Sequence, residues 1–234
     1  MDILDTLHDA IDTPAFLIGF LALMLPSLFW LIRDLQRRNT HLMPLMKVVW
    51  GLTVIYTGPL GLAIYLWSGR KEIATDSLPR RAFRSVAHCC SGCGMGEIVG
   101  VVVAAGILSL GSVWVSVITF ALAYAAGYAL TVGPLVQDGV PLRTAMRDAV
   151  VAETASITVM EVTAISVSLW LAAGAGMGDV RFWTALIVSL SCGLLAAYPV
   201  NVLLLHFGVK EGMMDPRMTD HDGHDHQGDP ATAG

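Results

Sequence analysis

The chain has 234 residues, of which 55% are hydrophobic and only 14% charged, against about 25% charged in an ordinary soluble domain; a water-facing surface cannot be assembled from it. The net charge of −5 is set largely by the two ends, and no Lys/Arg block with interleaved aromatics occurs, so a nucleic-acid partner is set aside. The composition instead predicts an all-α, polytopic membrane protein whose partner is the lipid bilayer.

Residues 1–13 form an acidic segment with Asp2, Asp5, Asp9 and Asp12. It lacks the basic start and small-residue cleavage site of a signal peptide, so the apolar run behind it is expected to be retained. A hydrocarbon core about 30 Å thick requires roughly 20 apolar residues on a helix rising 1.5 Å per residue. Six stretches qualify: Pro14–Ile32, Met46–Trp67, His88–Leu110, Val113–Val136, Ala149–Ala173 and Phe182–Phe207. Pro14 suits a first helical turn. Trp50, Trp67, Trp114, Trp170 and Trp183 fall near segment ends, where amphipathic aromatics prefer the interface. The expectation is therefore six transmembrane helices: two N-terminal helices with their basic connection in residues 14–83, and a four-helix membrane core in residues 84–210.

Charge complicates the second segment. Arg33, Arg37, Arg38 and Lys47 lie before it, and Arg70, Lys71, Arg80, Arg81 and Arg84 lie after it. A crossing would put these two groups on opposite faces, against the rule that Lys and Arg gather on the cytoplasmic side. The alternative is that Met46–Trp67, interrupted by Thr57-Gly58-Pro59, turns back without crossing.

The third segment opens His88-Cys89-Cys90-Ser91-Gly92-Cys93-Gly94-Met95-Gly96-Glu97. On a helix Cys89, Cys93 and Glu97 form one stripe, with Cys90 beside Cys93 at i+3. Cysteine and histidine are favoured ligands of Zn²⁺, Cu⁺ and related metals, so His88, Cys89, Cys90, Cys93 and Glu97 are candidate ligands; the competing reading is small, buried cysteines in tight helix packing. Gly92, Gly96 and Gly100 repeat every fourth residue on a neighbouring stripe, a pattern that lets a second helix approach closely.

The fifth segment carries Glu153 and Glu161 eight residues apart, hence on nearly one face. Carboxylates inside a membrane are costly and must face the bundle interior, be protonated or be paired, which makes both candidates for a cation or proton path. For Glu153 the bland alternative is an ion pair with Arg143 or Arg147. The sixth segment adds Cys192, Pro199 and Asn201, with His206 near its end as a further path candidate. Residues 211–234 are a Met/His/Asp-rich tail that cannot form a packed core; His221, His224 and His226 suit transient capture of copper, nickel or zinc.

The run His88-Cys89-x-x-x-Cys93-x-x-Gly96-Glu97, taken with the helix carrying Glu153 and Glu161, resembles a family of bacterial membrane proteins known as domain of unknown function 4396, over about residues 84–207. Cys90 looks additional to the family's pattern. The resemblance implies a bacterial inner-membrane protein and an association with copper handling. From residues and resemblance together, the expected function is to bind, transport or hand over a transition-metal cation, copper or zinc foremost. A membrane thiol redox protein using Cys90-x-x-Cys93 is one alternative, and a scaffold without catalytic activity is another. A metal-donor protein or a second copy of the chain are the partners such roles imply. No nucleotide or flavin motif is present.

Overall fold

A computed structural model describes residues 13–172, 174–212 and 215–217, and among these every regular element is helical. Helix α1 runs Pro14–Arg37, starting on the proline expected at its first turn. Helices α2 (Pro44–Thr57) and α3 (Pro59–Ser68) are separated by one residue, Gly58. Helix α4 (Leu78–Val101) continues into a π-helical turn at Val102–Ile107. Helices α5 (Ser112–Gln137), α6 (Leu142–Ala172) and α7 (Val180–His206) complete the order. Helices α1, α4 with its π turn, α5, α6 and α7 are long and apolar enough to cross a membrane; α2 and α3 are shorter apolar helices.

All six expected segments are helical, but the second has a distinct path. A continuous helix would separate residues 44 and 69 by roughly 37 Å at 1.5 Å per residue. Instead, the Trp50 and Tyr65 rings meet edge-on with centroids 5.3 Å apart. A Cβ placed on Gly69 would lie 2.5 Å from the Trp50 ring. Tyr65 Oη and Arg70 Nε donate to Asp34 Oδ2 at 2.8 and 3.1 Å, and the Lys71 amide donates to Asn39 Oδ1 at 2.7 Å. The end of α1, the start of α2 and the end of α3 are thereby tied together: α2 and α3 form a hairpin that returns to the side it left. Gly58 makes this possible, since its backbone (φ 59°, ψ −129°) is closed to side-chain-bearing residues and Pro59 starts the next helix. The turn is buried in protein, with Phe20 against Gly58 and the Thr53 and Thr57 hydroxyls donating to carbonyls one turn back, as irregular backbone at membrane depth requires.

This path removes the charge conflict. With five long helices and one hairpin, 14 Lys and Arg residues are distributed so that all except Arg181 lie at one end of the bundle, here termed the basic end. The basic end comprises the α1–α2 and α3–α4 connections, the α5–α6 turn and the segment after α7. The opposite end comprises the start of α1, the α4–α5 connection (residues 108–111) and the α6–α7 connection.

Helix α4 is the axis of the fold, packed on α2, α3, α5, α6 and α7. Its glycine stripe faces α5. A Cβ on Gly92 would lie 2.9 Å from the Gly127 Cα, one on Gly96 2.5 Å from the Ala123 Cα and against the Leu122 carbonyl, and one on Gly100 2.7 Å from the Thr119 Cα. Backbone thus touches backbone, the arrangement small residues permit in membranes. On the other side Gly94 receives the Tyr56 ring of the hairpin, and Ser91 Oγ donates to the Val49 carbonyl at 2.9 Å.

Candidate functional site

Because α4 is enclosed, its polar residues are too. His88, Cys89, Cys90, Cys93 and Glu97 are all buried, the thiols within the same apolar core as Trp50, Tyr56, Ile157, Met160, Leu190 and Leu194. All four cysteines of the chain are free, Cys192 being only partly buried.

A hydrogen-bonded chain starts at the basic end. After α7 the backbone reverses at Gly208 (φ 67°), and the Val209 and Lys210 amides both donate to the Leu204 carbonyl, which directs Lys210 into the bundle. Lys210 Nζ donates to Glu153 Oε2 at 2.6 Å and to Asn201 Oδ1 at 3.2 Å, and both side chains of this ion pair are buried. Asn201 Oδ1 also accepts from Ser85 Oγ at 2.9 Å, while its Nδ2 donates to Ser156 Oγ at 2.6 Å. Ser156 Oγ in turn donates to Cys89 Sγ at 3.6 Å. Cys89 neighbours Cys93 one turn along α4, and Cys93 neighbours the Glu161 carboxylate of α6. The polar line therefore runs from Lys210 to mid-bundle through α6, α7 and α4.

Beyond Cys93 the hydrogen bonding stops. Glu161 is wholly buried, and neither carboxylate oxygen has a hydrogen-bond partner; Glu97 Oε2 and both His88 ring nitrogens are likewise buried and unpartnered. Leaving such groups unmatched costs several kcal/mol each in an apolar surround, of order 1–3 kcal/mol for neutral groups and more for charged ones. Thr158, one turn before Glu161 on α6, is already engaged, sharing a short hydrogen bond with Tyr124 Oη.

Glu97 faces a different compartment. It lines a cavity of about 400 Å³ bounded by the α4–α5 and α6–α7 connections, together with Ser116, Thr119, Ser168, Met177 and Phe182. The π-helical turn of α4 contributes Ala105 to the wall. Glu97 therefore does not share the basic end with Cys89: eight residues carry it about 12 Å further along α4, toward the opposite end.

Several expected site residues are not gathered. His206 ends α7 exposed, its ring against Phe207, outside the buried chain. Arg143 and Arg147 are exposed, and Glu153 pairs with Lys210 instead of either. His221, His224 and His226 lie outside the described residues. Among the described residues no three His, Cys, Asp or Glu side chains converge on one metal position. Conversely, the sequence does not single out Lys210 or Ser85, and it offers Asn201 and Ser156 only as polar residues of their apolar segments, without a role in a site. Their signal was weak, Lys210 and Asn201 being the polar interruptions at the end of an apolar segment.

Residues 79–210 match the sequence model of the family described as domain of unknown function DUF4396, and the chain belongs to that family. No curated protein and no solved structure matches it.

Proposed function

We propose that this member of the family carries or hands over a soft transition-metal cation, copper or zinc foremost, through the interior of its bundle. The observation that carries the reading is Glu161: a carboxylate wholly buried between spanning helices, with no nitrogen or oxygen donor at either of its oxygens and the Cys93 thiol as its polar neighbour. A carboxyl group so placed either holds a proton or meets a cation, and the adjacent Cys93 and Cys89 give a soft metal the advantage over Na⁺ or Mg²⁺. In this reading the cation displaces the protons of Glu161 and of the thiols that bind it, and Cys89, Cys93 and Glu161 close on it by side-chain rotation. Cys90, His88 and Glu97 extend the donor set on either side, Glu153 is the first carboxylate met from the basic end, and the Met/His tail captures the ion there.

The same reading sets the protein in a bacterial plasma membrane with its basic end cytoplasmic, because Lys and Arg concentrate there. Single cysteines introduced at Thr40 and Glu72 in a cysteine-free background are then labelled by an impermeant maleimide from one face, and one at Gly176 from the other. Labelling of Thr40→Cys and Glu72→Cys from opposite faces would restore the second crossing.

The functional test compares metal content of purified wild type with Glu161→Gln and with the Cys89/Cys90/Cys93 triple Ser variant, followed by Cu⁺ and Zn²⁺ flux into proteoliposomes. Wild type is expected to retain metal and support flux, and both variants to lose at least tenfold. Equal, negligible metal and flux in all three sinks the proposal. The thiol redox alternative, which the sequence suggests on Cys90-x-x-Cys93, finds Cys89 beside Cys93 as a second candidate pair; titration across thiol–disulfide buffers identifies it by a reversible two-electron couple without stoichiometric metal.

A further inference from the structure

The cavity above Glu97 has a chemistry unlike that of the thiol line. Its lining holds one ionisable side chain, Glu97, within walls of Val101, Leu110, Ile165 and Leu186. Glu97 is 3% exposed and its Oε2 has no hydrogen-bond partner, so an unsatisfied acceptor is held at the wall of a preformed space. Among the described residues, that lining holds no Cys, His, Asp or second Glu. A divalent metal asks for several such donors at once, and one carboxylate with scattered hydroxyls is a poor cage for it.

The volume points the same way. About 400 Å³ is far more than a bare ion fills and falls in the range of small-molecule sites, about 300–1,000 Å³. A charge-neutralising group for a carboxylate in this setting is a single positive centre whose remaining surface is apolar. Phe182 contributes a ring to the wall, and aromatic faces attract ammonium groups. Met177 contributes a thioether, which moulds to irregular apolar shapes.

We propose that this cavity is a binding site for a small organic ammonium cation with an apolar body, held by Glu97 and the Phe182 ring and open at the end of the bundle opposite the basic end. The site goes beyond the metal path: Glu97 is the residue the two readings share, and none of Cys89, Cys90, Cys93 or Glu161 lines the cavity.

The probe is benzyltrimethylammonium, with neopentylbenzene as its neutral isostere. Each is titrated calorimetrically onto the full chain in nanodiscs of phosphatidylcholine, which offers the cation no net anionic surface. Wild type is expected to bind the cation saturably, one per chain and at least tenfold more tightly than the isostere. Glu97→Gln should lose that tenfold preference while binding the isostere as wild type does. Ser116→Phe, which fills the cavity from α5, should abolish binding of both. The triple Ser variant should bind the cation like wild type, which separates this site from the metal path. The proposal is overturned by non-saturable binding to wild type, by a cation bound no more tightly than its isostere, or by Ser116→Phe leaving binding intact. The wild-type comparison stands even where Glu97→Gln fails to fold.

Discussion

At the basic end the bundle interior is sealed by a hydrogen-bonded ion pair, Lys210 with Glu153, anchored through Asn201 to three helices. At the opposite end it opens into a cavity beside Glu97, whose Oε2 has no partner. Two carboxylates of one protein thus sit in contrasting surroundings: one satisfied by a tethered cation on a strap of chain, the other lacking any basic neighbour in its cavity wall. The difference teaches that burial alone does not mark a binding site here. Glu153 is as buried as Glu97, yet its charge is already neutralised from within the chain, so any cation reaching it from the basic end has to displace Lys210.

Breaking the sealed end gives the largest expected effect. Lys210→Met leaves the Glu153 carboxylate buried beside Asn201 without a counter-charge, a situation that costs about 3–5 kcal/mol. A Lys210→Met/Glu153→Gln double variant should recover most of it, because both charges then disappear together. Thermal unfolding of purified protein, arranged as a double-mutant cycle, measures the coupling; additive losses would mean that the pair is not the seal. Next in size is the contact that holds the axis of both ends, the glycine stripe of α4. Gly96→Val drives side-chain atoms into the Ala123 backbone, which cannot rotate away as a flexible side chain would, and overpacking of this kind costs about 1–3 kcal/mol or more. Gly133→Ala on α5 is the control: nothing lies within 4 Å of its Cβ position, and helix propensity favours alanine by up to about 1 kcal/mol.

The contrast between the ends was only partly legible in the sequence. Hydropathy is a local property, so α1, α4, α5, α6 and α7 could be read from it, and the four-residue spacing of Gly92, Gly96 and Gly100 announced a close helix contact. The hairpin was half-legible: Thr57-Gly58-Pro59 and the placement of arginines on both flanks raised it, but a run of apolar residues has the same hydropathy whether it crosses or returns. What decides the path is pairing at a distance, Asp34 with Tyr65 and Arg70, Asn39 with Lys71. The Lys210–Glu153 pair was illegible for the same reason, its partners being 57 positions apart while Arg147, one helical face away, was the obvious local candidate. Nor does any pattern along α4 reveal that Cys89 and Glu97, on one stripe, serve compartments at different depths.

Between the two ends stands Glu161, and its replacement should have a smaller effect on stability than either change above. Glu161→Gln preserves shape and removes a group that can charge inside the membrane, so unfolding is expected to shift by no more than about 1 kcal/mol in either direction. A loss of metal or flux in this variant then reports function and not collapse. A shift as large as that of Lys210→Met would instead make Glu161 a structural keystone and place the functional contrast elsewhere.

The smallest effect concerns how the strap bearing Lys210 is held. Beyond it, the Pro216 carbonyl lies 2.6 Å from His41 Nε2, and Arg217 donates to Asp215 and to the Ala74 carbonyl. Hydrogen bonds from Arg217 hold the Asp215 carboxyl below the usual carboxylate range. A depressed value means that this contribution is complete above the unfolded carboxylate value of about 3.9 and is lost as pH falls through the folded one. Release of the segment should therefore appear only under acid conditions, as faster proteolysis after Lys210 by an acid-tolerant protease. Asp215→Asn should abolish that pH dependence, and the exposed Arg217 side chain keeps the effect modest because solvent screens it. Because Lys210 itself is fixed by Glu153 and Asn201, Asp215→Asn should leave the thermal unfolding of the bundle unchanged at neutral pH. If it lowers unfolding as Lys210→Met does, the seal at the basic end extends into the strap and is not confined to the one buried pair.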